Sequence, residues 1–255
     1  MAPDRHDVSH LERIFDANSI EEIWARHVDK MAEFGFDRLL YGFTRFMTST
    51  SFGDHDDALV LSNHEDAYLD AFVRTGLYYH APMVRWASEH EGVGSWRKIT
   101  ERVSQGNLTP TERRVLEVNQ RFNVAAGYSI SFKDVSVRAK GAIGLCARAG
   151  LSQDDVDAIW AEHGSTLTVI NKVTHLRIVA MPFISSRRPL TARQREALEW
   201  VGDGKTMQDI ATIMGLTPAT IEKHLRLARE ALDVETTAQA VLKASFQNQI
   251  FIMNA

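Results

Sequence analysis

The chain has 255 residues, 44% of them apolar and 24% charged, with a net charge of −4 at pH 7. That length suits two modest domains better than one. No apolar run approaches the roughly 18 residues of a membrane helix, and Met1–Asp7 lacks the apolar core of a signal peptide, so a cytoplasmic protein is expected. The single cysteine, Cys146, rules out an internal disulfide and a cysteine-based metal site, and the ten histidines fall without ligand spacing. No metal and no cofactor is assigned.

In chain order, Ile20, Ile23, Trp24, His27, Val28, Met31 and Phe34 recur at threes and fours and predict an amphipathic helix. Residues 38–47 read as a strand and 58–61 as a shorter one beside it. Between them Asp54, His55, Asp56 and Asp57 form a solvated charge run. With no nucleophile–base pairing or phosphate loop elsewhere, an enzyme is not expected. Helices follow from Glu65 to about Arg74 and from Pro82 to His90. Thr109 caps a further helix with Pro110 at its first position. Tyr128–Val135 and Ala142–Ala147 read as strands around a turn. Ser152 then caps a long helix whose face is Val156, Ile159, Trp160, His163, Leu167, Ile170 and Val173. This stripe is more apolar than one sheet face requires, so a homodimer joined near this helix is expected. The class is α+β, an α/β/α sandwich around an antiparallel sheet over residues 1–180.

Tyr41, Phe43, Tyr68, Phe72, Tyr78, Tyr79, Trp86 and Trp96 are each ordinary core residues taken singly. As a group with buried hydroxyl and indole donors, they predict a pocket between the layers. Residues 181–189, with two prolines around serines and arginines, read as a linker.

From residue 190 to 255 the pattern becomes a bundle of short helices. Thr191 caps a helix carrying Ala197, Leu198 and Val201, which Gly202 and Gly204 end. Met207, Ile210, Ala211 and Met214 line the next. After Gly215-Leu216, Thr217 caps and Pro218 opens a longer helix with Ile221, Leu225, Ala228 and Leu232 inward. Thr220, Lys223, His224, Arg226 and Arg229 are left on its free side. Short helix, tight turn and a second helix bearing bases and hydroxyls make a helix-turn-helix layout. From residue 185 onward nine Lys/Arg face eight Asp/Glu, a charge of +1, against −5 for the remainder. So weakly basic a unit needs well-placed charges and a dimer on a two-fold site to hold double-stranded DNA.

Leu190, Thr191, Arg193, Leu198, Trp200, Gly204, Lys205, Ile210, Ala211, Thr220, His224, Leu232, Gln239 and Ala240 closely resemble the DNA-binding domain of LuxR-type transcription regulators. Gln194 stands where that family usually has Glu, and Thr237 where it usually has Arg. The resemblance implies that Arg187, Arg188, Lys205 and Thr217 hold phosphates, with Thr220, Lys223, His224 and Arg226 at base edges and Arg229 beside them.

Ala81-Pro82-Met83-Val84, Trp96 fourteen residues after Pro82, and Gly127 resemble the autoinducer-binding domain of the same family. There the first position is usually an aspartate accepting the amide N–H of an acyl-homoserine lactone. Tyr68 aligns with a tryptophan that donates to the lactone carbonyl, and Phe72 with a tyrosine that donates to the acyl carbonyl. Ala81 cannot accept and Phe72 cannot donate, so the resemblance implies a sensor whose ligand is another small, largely apolar molecule. A ligand-independent regulator and an interaction protein sequestering a related regulator in heterodimers are the alternatives.

Overall fold

The structure, a computed structural model, describes residues 5–48, 52–53, 55–183 and 189–251. The chain divides into two compact units, Met1–Gly53 with Ala58–Val179, and Asp54–Asp57 with Ala180–Ala255. Arg187 and Arg188 lie outside the described residues. No described helix is long and apolar enough to cross a membrane.

The first unit is built on a five-stranded antiparallel sheet of β1 (Phe36–Thr44), β2 (Leu59–Ser62), β3 (Gly92–Ser95), β4 (Gly127–Ser131) and β5 (Lys140–Ala147). Their order is β2-β1-β5-β4-β3. Helices α1 (Arg5–Asp16), α2 (Ile20–Glu33), α3 (Asp66–Leu69), α4 (Pro82–Glu89), α5 (Arg97–Ser104), α6 (Pro110–Arg121) and α7 (Gln153–Ala180) complete it. The region read as one helix over 65–74 is α3 followed by a π-helical turn at Asp70–Arg74. Sequence reading missed α1, β3 and α5. In β3, Gly92-Val93-Gly94-Ser95 has little strand propensity, and Gly94 is needed because a Cβ there would stand 2.9 Å from the Trp86 ring.

Alternation along the strands splits large residues from small ones. Leu39, Tyr41, Ile130, Phe132, Ile143 and Leu145 fill the face covered by α2 and α7. A hydrogen-bonded seam lies within that layer. His27 meets the Asn171 side-chain oxygen at 3.0 Å through Nε2 and the Thr174 hydroxyl at 3.1 Å through Nδ1. Tyr41 and His175 share a hydrogen bond of 2.9 Å. Burial holds His27 down to about 3 and His175 to about 4, so both imidazoles are neutral.

The apolar stripe of α7 is consumed here. Val156, Leu167 and Ile170 are fully buried, Trp160 stacks on Tyr128 at 4.1 Å, and His163 meets Phe34 edge-on. The large apolar side chains that α7 leaves exposed are Val169 and Leu176, so the stripe expected at a dimer contact packs within the unit instead.

The second unit contains α8 (Ala192–Gly202), α9 (Met207–Met214), α10 (Pro218–Leu232) and α11 (Thr237–Phe246). They enclose a core of Leu190, Leu198, Ile210, Met214, Ile221, Leu225, Leu232 and Ile250 with interleaved alanines. Met207, expected inward, is exposed at the start of α9. Thr191, Thr206 and Thr236 each cap a helix through a reciprocal pair of bonds. The amide oxygen of Gln194 accepts from the Thr191 backbone N–H at 2.9 Å, which a glutamate would also do, so this departure leaves the cap intact.

Candidate functional site

The opposite face of the sheet is lined by small groups. Leu40 and Gly42 on β1 and Ala142 and Gly144 on β5 are only half-buried, although these are the central strands. Among the described residues, a Cβ built on Gly42 would meet no heavy atom within 4 Å. Residues this deep in a sheet are normally covered by packed side chains. Here Gly42 fronts open space among the described residues, while Ser129, Ser131 and Cys146 on the same face are buried.

The roof comes from the α3–α6 region, where Tyr68, Phe72, Leu77, Ala81, Val115 and Val124 are buried together with Cys146. Leu40, Tyr78, Val84, Trp96, Val118 and Phe122 pack against them. Tyr68 and Phe72, one helical turn apart, stack at 5.2 Å and 15°, and His64 covers the Tyr68 ring at 4.6 Å. The Tyr68 hydroxyl donates to Asn119 Oδ1 at 3.1 Å, and Trp96 Nε1 donates to Ser129 Oγ at 2.9 Å. Gly127 lets Trp96 lie flat on the sheet, since a Cβ there would sit 3.0 Å from the indole and 2.2 Å from the Leu145 carbonyl oxygen. Burial pushes the Tyr68 phenol up, the Cys146 thiol up to about 12 and the His64 imidazole down to about 4. All three are therefore neutral at pH 7.

Of the sequence-predicted pocket residues, Tyr68, Phe72, Ala81, Trp96 and Gly127 come together here. Tyr41 and Phe43 do not. Strand alternation turns them to the α2/α7 face, where Tyr41 bonds His175 and Phe43 lies edge-on to the same ring at 5.6 Å. Trp86 lies over Gly94 and stacks on His90 at 5.6 Å, outside the cluster. Tyr79, 42% exposed, stacks on Tyr78 at the rim.

In the second unit Gly215 adopts the left-handed conformation (φ 66°) that stops α9, and Thr217 caps α10 through the Thr220 N–H. Ile221, Leu225, Ala228 and Leu232 bury one face of α10, leaving Lys223 and Arg226 exposed and Thr220 and His224 half-buried. Lys205 is exposed at the turn before α9. Arg226 pairs with Glu230 one turn on. Arg229 departs from the expected free side. It donates to the Thr237 hydroxyl at 2.8 Å and to Glu222 at 3.0 Å, clasping α10 to α11. Thr217 and Thr220 share a hydroxyl–hydroxyl bond of 2.9 Å, so the cap and the first turn of α10 are fixed as one piece.

Residues 19–178 match the family model of the autoinducer binding domain, and residues 188–244 match that of bacterial regulatory proteins of the luxR family. The chain belongs to the LuxR family of transcription regulators. It is 24% identical over 215 residues to the transcriptional activator protein AnoR of Acinetobacter nosocomialis, covering 84% of this chain and 85% of that one. With the LuxR activator of Aliivibrio fischeri it shares 22% over 191 residues, 74% and 73% of the two chains. The fold is similar to that of SdiA solved with octanoyl-rac-glycerol, with a TM-score of 0.53, 14% identity and 97% of each chain covered.

Within this LuxR-family framework, sequence reasoning missed the small-residue face of the sheet and the hydrogen bond from Tyr68 to Asn119. Small residues at alternate positions, Gly42, Gly127, Ser129, Ala142 and Gly144, were the available signal for that face. For Asn119 the signal was spacing, because it follows the buried Val115 by one turn of α6.

Proposed function

We propose that the chain is a homodimeric, cytoplasmic, sequence-specific DNA-binding regulator whose first unit senses a small neutral molecule other than an ordinary acyl-homoserine lactone. What supports this reading is the open space before Gly42 on the sheet face, beside the cluster of Tyr68, Phe72, Trp96 and Leu40, with a methyl at Ala81 instead of an acceptor. An amide N–H brought beside Ala81 without another acceptor costs about 1–3 kcal/mol, roughly ten- to a hundredfold in affinity. Octanoylglycerol, the molecule named with the SdiA structure, carries no amide N–H and escapes that cost.

On DNA, α10 enters the major groove, with Lys223, Arg226, Thr220 and His224 toward base edges and Lys205 and Thr217 toward phosphates. Arg229 is assigned to the protein's interior clasp. A second copy of the chain pairs across α7 through Val169 and Leu176, which lie two turns apart and are 49% and 63% exposed. Native mass spectrometry of protein purified from its source, followed by gel shifts on its own upstream DNA, tests the reading. A dimer carrying a small neutral molecule and a retarded band are expected. A ligand-free protein indifferent to added octanoylglycerol overturns the sensor. A chain that binds no DNA but forms heterodimers with a related regulator replaces the reading with sequestration.

A further inference from the structure

We propose that Glu230 is a specificity-determining residue of the second unit: its carboxylate, on the stripe of α10 that meets DNA, suppresses binding to non-cognate sequence. This rests on α10 being the reading helix, as proposed above. Ile221, Leu225, Ala228 and Leu232 form the buried stripe of α10. At about 100° per residue, the stripe opposite passes through Ala219, Lys223, Arg226 and Glu230, all four exposed. A carboxylate therefore stands in line with the two cations assigned to base edges. It lies one turn beyond Arg226 and, at the helical rise, roughly 10 Å beyond Lys223.

Glu230 also holds one of those cations. It accepts from the Arg226 guanidinium, and the two side chains are more than half exposed, so the pair is weak and can be remade on a ligand. On the flank of the same helix Glu222 accepts from Arg229 at 3.0 Å. The exposed charges of α10 are thus Glu222, Lys223, Arg226 and Glu230, which sum to zero. Among the described residues no carboxylate pairs with Lys223. Sequence-independent binding comes from cations that displace counterions from phosphates, each adding about 0.9 to the salt slope. A guanidinium already neutralised by Glu230 contributes little of that, and the carboxylate itself is repelled by phosphate. Guanine is different. Its O6 and N7 take two of the five guanidinium donors, and the others can stay on Glu230, which then orients Arg226 from behind. The carboxylate is compensated only where the base is right. The near-neutral charge of this unit, nine Lys/Arg against eight Asp/Glu from residue 185 onward, then acts as a filter on sequence.

The test uses the full-length protein and two duplexes of equal length: one selected by the parent from a random pool, and one of the same composition in scrambled order. Glu230→Gln is expected to bind the scrambled duplex about fivefold more tightly, with a salt slope steeper by about one unit per subunit. Its affinity for the selected duplex should change by less than about twofold, so the ratio between the two falls. Glu230→Asp, which keeps the charge, is expected to retain the parent's ratio. Glu235→Gln removes an exposed acid outside α10 and is expected to shift both duplexes by the same factor. All three positions changed are on the surface, so the variants should melt with the parent. Equal gains on both duplexes by Glu230→Gln, or no gain on either, overturn the role of Glu230 and leave α10 as the reader. Lys223→Ala separates the two readings: if it binds both duplexes as the parent does, α10 is not the reader and the role of Glu230 falls with it.

Discussion

Gly42→Val distinguishes a cavity from a core more directly than any ligand. Gly42 lies in a central strand, paired with Val60 on β2 and Ala142 on β5, at an ordinary negative φ, and among the described residues a Cβ there meets nothing within 4 Å. Glycine inside a strand costs about 0.5–1 kcal/mol relative to alanine through backbone entropy. Valine's two methyls, half-buried against the floor, add about 1 kcal/mol from the usual ~0.8 kcal/mol per fully buried carbon. The sum is about 1.5–2 kcal/mol, and a unit of this size shifts by roughly 2–4 °C per kcal/mol, so the melting temperature is expected to rise by about 3–8 °C. The same side chain occupies the space before the sheet, so if the proposed sensor takes octanoylglycerol, its binding should fall at least tenfold. Scanning calorimetry of the ligand-free protein and a titration read the two effects. A melting temperature lowered by several degrees means that the space is already filled. A rise with binding intact means that the ligand lies elsewhere.

Ala81→Asp is expected to lower the melting temperature of the ligand-free protein, because Ala81 is 6% exposed among apolar neighbours, and to raise N-octanoyl-homoserine lactone affinity at least tenfold. Calorimetry showing destabilisation without any gain in lactone binding refutes that account. Lys223→Ala should flatten the salt dependence of operator binding by about one unit if the lysine holds a phosphate, or relax specificity at one base pair if it reads an edge; a gel shift identical to the parent's removes α10 as the reader. Arg229→Met should lower the melting temperature of the second unit by breaking the bonds to Glu222 and Thr237, and a variant that melts with the parent yet binds DNA poorly would restore Arg229 to the DNA face. His27, His175, His10 and His64 all have folded values depressed from 6.5, to about 3 for His27 and about 4 for the others, chiefly by burial. The unfolded chain therefore binds the extra protons, and stability should be full above pH 6.5 and decline as the pH falls toward 4. His27→Gln should reduce that slope by up to one proton, as read from melts across pH 4–7, and an unchanged slope refutes the assignment.

The second unit was legible almost throughout, because its signals are local. Thr191, Thr217, Pro218 and Gly215 punctuate the helices, and Ile221, Leu225, Ala228 and Leu232 mark the buried face at helical spacing. The bond from Arg229 to Thr237 was not legible, because Thr237 lies on another helix. In the first unit the α+β class and most helices could be read from periodicity, yet the aromatic set split in two. Phe43 and Tyr68 look alike as residues, and only strand parity sends Tyr41 and Phe43 to α7 while Leu40 and Gly42 face the cavity. The floor was hardest to see, because a cavity is written in what side chains lack. Leu167 and Ile170 misled in the opposite sense, since a helix stripe facing its own sheet and one facing a second copy have the same spacing.

The uneven sheet gives this protein two rates of permissible change. On the side of Leu39, Ile143 and Leu145, filled by α2 and α7, each large side chain is fitted to several neighbours, and trimming one leaves a void costing about 2–5 kcal/mol. On the side of Gly42, Ala142 and Gly144 there is little packing to lose, so exchanges among small residues are close to neutral for folding while reshaping what can dock there. A lineage built on such a partition can vary one face of the sheet without passing through an unfolded intermediate, its scaffold held steady by the other.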